Sequence, residues 1–170
     1  MAVLTAFISL AALCAGRPAS AQLPLLGGPT AITAGVFVPT DSRPTHAGGG
    51  QQLSLEARYA LPGVPFTGLK TVVSVGLEDG SQGGGHSTII PFTIGEYAGS
   101  GGVNPLKFKD AYIGAGLGPY LENESGISTT TRIGGFVAVG YNTPIALFVE
   151  GKYQFVQDGS GFTASVGLRF

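Results

Sequence analysis

Residues 145–157 read IALFVEGKYQFVQ. In an extended chain successive side chains point to opposite faces, so parity sorts them. Ile145, Leu147, Val149, Gly151, Tyr153 and Phe155 fall on one face, and Phe148, Glu150, Lys152 and Gln154 on the other. Apolar recurrence at i, i+3 and i+4 is missing, so the stretch reads as a strand and not as a helix. What decides the fold is which of the two faces meets its surroundings and which is enclosed.

The same texture runs through most of the chain. Eight alternating runs stand between clusters of Gly, Pro, Asn, Asp and Ser: residues 31–40, 53–61, 68–78, 87–97, 110–122, 127–141, 145–157 and 162–170. With 29 Gly among 170 residues and many β-branched side chains, these runs are poor helix formers. Short turn signals separate them, including Tyr141-Asn142-Thr143-Pro144, Asn123-Glu124-Ser125-Gly126 and Asp158-Gly159-Ser160-Gly161. DSRPTHAGGGQQ (41–52) and DGSQGGGH (79–86) read as longer, flexible polar loops. The length suits one domain.

Parity places nearly all strand charge on one face. That face carries Glu56, Arg58, Lys70, Glu78, Glu122, Arg132, Glu150, Lys152 and Arg169, interspersed with glycine and close to balanced in sign. The opposite face is apolar, as in Leu53, Leu55, Ala57, Tyr59 and Leu61 of the second run. A soluble sandwich scatters many charges outward, yet only 11% of this chain is charged, against about 25% in soluble domains. A small, glycine-rich polar face with paired charges suits the interior of a narrow barrel, leaving the apolar face outward against lipid. Closure satisfies every backbone group without water. The fold class is therefore all-β: an eight-stranded antiparallel up-and-down transmembrane barrel. Run 87–97 resists assignment, because Glu96 shares a parity with Ile90, Phe92 and Ile94, and Pro91 is expected to mark a bulge.

Before the barrel, MAVLTAFISLAALCAG is an apolar run followed by Ala19-Ser20-Ala21, the small-x-small pattern of a secretory signal. Cleavage is expected after Ala21. No Lys or Arg precedes the run, which points to a start codon assigned too late. Lipidation at Cys14 is disfavoured by Leu13, which stands where a small residue belongs. The expected organisation is a signal peptide at 1–21, a short linker at 22–29 and the barrel at 30–170. Cleavage removes the single cysteine and Arg17, leaving a disulfide-free chain of net charge −2.

The signal segment, the eight runs and the closing strand FTASVGLRF together resemble the small eight-stranded outer-membrane β-barrels of diderm bacteria. The resemblance spans Thr30 to Phe170. It implies localisation to the bacterial outer membrane, with the lipid bilayer and the barrel-assembly machinery as partners. It also implies that Phe162, Ala164, Val166, Leu168 and Phe170 form the C-terminal assembly signal. Connections 41–52, 79–86, 122–127 and 157–161 would then face outward, and 62–68, 98–109 and 141–144 the periplasm. The outward loops are short for the family, and a peptidoglycan-binding domain after the barrel is not expected. Tyr59, Tyr97, Tyr141 and Phe170, with Phe37, Phe155 and Phe162 at the other end, suit interfacial girdles.

Little else carries chemistry. His46 and His86 lack metal-ligand neighbours at useful spacing and read as loop histidines. His86-Ser87 resembles the His and Ser of barrel lipid-A deacylases, but adjacent strand residues face apart and cannot form a nucleophile–base pair. Gly114, Gly116 and Gly118 form GxGxG with no helix following, so they read as lumen glycines making room for Tyr112, Tyr120, Phe136 or Phe148. No catalytic, cofactor or metal site is expected, and no basic stripe offers nucleic acid a track. The expected role is structural or surface-interacting, with the lumen filled by paired charges. The alternatives are a narrow porin or transporter-like barrel for small or hydrophobic solutes, and a soluble exported lipocalin-like barrel binding an apolar ligand.

Overall fold

A computed structural model describes residues 29–61, 69–99, 110–126 and 128–170. The expected signal peptide, nearly all of the linker at 22–29, connection 62–68 and most of connection 98–109 lie outside these residues. Eight strands form one closed antiparallel barrel in sequence order. They are β1 (Ala31–Pro39), β2 (Gln52–Ala60), β3 (Lys70–Gln82), β4 (Gly85–Ala98), β5 (Ala111–Glu124), β6 (Thr130–Asn142), β7 (Leu147–Phe155) and β8 (Gly161–Arg169). The ring closes where β8 pairs with β1, from Ala31↔Arg169 to Pro39↔Gly161. Chain direction puts Ala31, Ala60, Lys70, Leu147 and Arg169 at one end of the barrel, here the terminal end.

The opposite end departs from the sequence reading. Within 41–52, expected as a flexible loop, Ser42–Gly48 forms a helix, α1. It begins at Pro44's first turn and stops at Gly49, whose φ of 88° no β-carbon obstructs and whose N–H donates to the Thr45 carbonyl at 3.1 Å. α1 packs chiefly on β4 and β3 at this mouth, with lesser contact to β1 and β5. Two glycines seat it. A β-carbon on Gly80 would stand 2.4 Å from the Gly48 carbonyl oxygen, and one on Gly85 2.9 Å from that of Ala47. The expected loop at 79–86 is likewise shorter than its composition suggests. β3 and β4 run on to a two-residue turn, Gly83-Gly84, with φ of 58° and 87°. Positive φ at both positions matches the right-handed twist of a tight hairpin.

Parity holds around the barrel. Outward stand Val36, Leu53, Ile113, Leu117, Ile133, Val137, Val149, Phe155, Phe162 and Leu168, all well exposed, Ile133 at 74%. Inward stand Glu56, Arg58, Glu78, Glu122, Glu150 and Lys152, each under a tenth exposed. β4 has a single facing throughout: Ser87, Ile89, Pro91, Thr93, Gly95 and Tyr97 are turned in and Phe92 and Ile94 out. Pro91 is no bulge, because β4 keeps the same register with β3 and with β5 on both sides of it. Its ring is accommodated by Gly76, where a β-carbon would lie 2.8 Å from Pro91 Cγ. Glu96 takes the outer face, in register with Thr71 of β3.

Two residues assigned to the girdles are inside instead. Tyr97 is 4% exposed and Phe37 0%. Both carry inward parity, and strand-end position alone misplaces them. Tyr59, Tyr141, Phe155, Phe162 and Phe170 do face outward.

Candidate functional site: the charged lumen

The interior is layered. Near the terminal end Ala31, Val72, Tyr97, Tyr112, Phe136, Ala138 and Phe148 form one apolar cluster. Near α1, Phe37, Ile89, Tyr120 and Val156 form another. Bulky rings fit this narrow space because glycines lie across from them. Tyr97 faces Gly114, Tyr112 faces Gly140, Phe136 faces Gly116 and Phe148 faces Gly167 in neighbouring strands. A β-carbon on Gly140 would come within 2.2 Å of the Tyr112 ring, and one on Gly114 within 2.5 Å of Tyr97. The GxGxG of β5 thus makes room for Tyr97 and Phe136; Gly118 instead abuts the β4 backbone at Phe92.

Between the clusters, residues from β2 and β7 meet across the barrel. Arg58 donates from Nη1 and Nη2 to the two oxygens of Glu150, at 2.8 and 2.5 Å, and from Nε to Glu56 at 2.7 Å. Lys152 pairs with the other oxygen of Glu56. Tyr112 donates its hydroxyl to Glu150 at 2.8 Å. The guanidinium lies over Tyr97 and Phe148, 5.3 and 5.6 Å from the ring centroids, and Lys152 over Phe136. The bidentate fork and the aromatic faces suit arginine specifically; lysine offers neither the planar fork nor the stacking surface. Two cations and two carboxylates cancel, so the belt is neutral, and all four of its charged side chains are buried.

The remaining inward charges do not join this belt. Arg132 lies nearer α1, donating to Glu122 at 3.2 Å and to Asp158 of the β7–β8 turn at 2.7 Å. Glu78 accepts from Gln154 Nε2 at 2.7 Å, while its other oxygen is buried without a hydrogen bond. At the terminal end Lys70 and Arg169 flank an opening, and among the described residues no carboxylate pairs with either. Gln154 and Asp158 were not among the charge-bearing candidates. Parity had put Gln154 inside, but a turn residue such as Asp158 has no parity to read.

The sites of possible chemistry are separate. His86 Nε2 stands 3.2 Å from Asp79 Oδ1 and 2.9 Å from Thr88 Oγ1 on the exposed hairpin. Ser87 is fully buried and turned into the lumen, so the two adjacent residues face apart. His46 is exposed on α1. Among the described residues no three His, Cys, Asp or Glu side chains converge in a metal-holding group. No helix among them is long and apolar enough to cross a membrane, which does not bear on crossing by strands.

No model of a known protein family matches the chain, and no curated protein does.

Proposed function

We propose that the protein is an integral outer-membrane β-barrel with a structural or surface-interaction role, its lumen filled rather than open. One observation carries this reading: the barrel is inside out for a soluble protein. Ionised groups of both signs are buried in its centre, while valine, leucine, isoleucine and phenylalanine cover the wall. Burying charge is expensive unless it is paired, and exposing so continuous an apolar wall to water adds a second cost; in lipid the wall becomes favourable. Strands of nine to fourteen residues suit a bilayer, which needs about 9–11 tilted residues. A soluble carrier of apolar ligands needs the opposite arrangement, with its apolar face turned inward. Against a porin-like reading stand the Arg58 belt and α1 at one mouth.

On this reading residues 1–21 direct export, and Phe162, Ala164, Val166, Leu168 and Phe170 present the assembly machinery with an outward apolar stripe. The test is migration of the purified protein on a detergent gel. An unboiled sample is expected to run apart from a boiled one, and vesicle-reconstituted protein to resist extraction by carbonate or urea. A folded protein that stays monodisperse in plain buffer would overturn the membrane assignment.

A further inference from the structure

We propose that the opening at the terminal end is a binding site for a phosphate-type oxyanion, whether a free phosphate or the headgroup of a lipid. The opening is a cavity of about 40 Å³. At about 10–15 Å³ for each water-sized sphere, that is room for roughly three waters, enough to admit the oxygens of a phosphate group whose remainder projects out of the opening. Arg58, Lys70 and Arg169 line it, with the Asn142 amide, Tyr97 and Phe148, and no carboxylate does.

The charge balance makes the site specific. Both carboxylates of the belt, Glu56 and Glu150, are already engaged by Arg58 and Lys152, so they offset those two cations and nothing further. Lys70 and Arg169 are left as two positive charges within mutual repulsion, and Arg58 repels Lys70 as well. Arg169 holds itself in place by one long bond, 3.4 Å, from Nη2 to the Thr143 carbonyl. An anion seated in the opening between Lys70 and Arg169 would accept charge-assisted hydrogen bonds from the ammonium and from the part of the guanidinium that lines the cavity, and would relieve their repulsion. The inference concerns the lumen and does not depend on what surrounds the wall.

The test titrates the folded full chain, kept in buffer or in zwitterionic micelles and verified folded by far-UV circular dichroism. The probes are inorganic phosphate and, separately, phosphatidylglycerol doped into the micelles. Saturable one-to-one binding of either probe is expected, and which one binds identifies the source of the phosphate. The paired substitution Lys70→Gln with Arg169→Gln should weaken binding by roughly tenfold or more, whereas Lys70→Arg with Arg169→Lys should retain it. Arg132→Gln, at the other end, should leave it unchanged. The site is refuted if neither probe saturates, if the folded K70Q/R169Q chain binds as well as the parent, or if R132Q weakens binding equally.

Discussion

Arg58 is the residue on which most of the interior converges. It satisfies two carboxylates and lies between two rings, and is itself only 6% exposed. Replacing one partner of a buried pair strands the other, at a cost of about 3–5 kcal/mol. Arg58→Met is expected to lower the unfolding midpoint in denaturant accordingly. Combining it with Glu150→Gln should cost less than the two single changes added, because the second removes the charge left behind by the first. Gly140 is the complementary case. Gly140→Val drives a side chain into the Tyr112 ring, costs about 1–3 kcal/mol by overpacking, and pulls the Tyr112 hydroxyl off Glu150. Tyrosine fluorescence together with a denaturation curve would register both effects.

At the scale of elements, the hairpin between β3 and β4 gives the sharpest expectation. Both Gly83 and Gly84 are left-handed, and each would cost about 1–2 kcal/mol with a β-carbon. Gly83-Gly84→Ala-Ala should therefore destabilise the protein in thermal unfolding, while Asn-Gly at the same two positions should be close to neutral. The hairpin itself was legible in the sequence, though its length was not, since polar residues 79–82 and 85–86 read as loop while pairing as strand. β7 was legible because its alternation is unbroken from Leu147 to Phe155. The facing of β4 was not: Glu96 on the outer wall and Pro91 inside it each mimic a parity change that the register does not make. α1 has no apolar periodicity to betray it, and its seat on Gly80 and Gly85 exists only once the hairpin has folded beneath it. Strand parity told which charges turn inward, yet not which would meet. Arg58 and Glu150 are 92 positions apart, and only closure of the ring makes them neighbours.

For the whole molecule, filling at three levels predicts a barrel that does not conduct. α1 packs at one mouth, rings packed against glycines form two layers, and the neutral belt lies between them. In planar bilayers the intact protein is expected to show no steady conductance. Exchanging Ser42–Gly48 for a flexible Gly-Ser segment should leave it silent too, since the belt at Arg58 remains. Stable channels from that variant would instead mean that α1 is the sole seal.

The seam between β1 and β8 joins residues more than a hundred positions apart in sequence, in nine paired positions. Every other pairing in the ring links consecutive strands and needs only a local connection to form. This one needs both ends of the barrel sequence together, and until it forms the partial sheet displays two raw edges, each able to capture a foreign strand. Pairing at such separation is slow, because the entropy of closing the loop must be met before any contact rewards it. The time that Gly161–Arg169 needs to find Ala31–Pro39 is thus the interval during which the chain is open to aggregation. A protein with a stable finished ring is, by the same connectivity, a demanding one to finish.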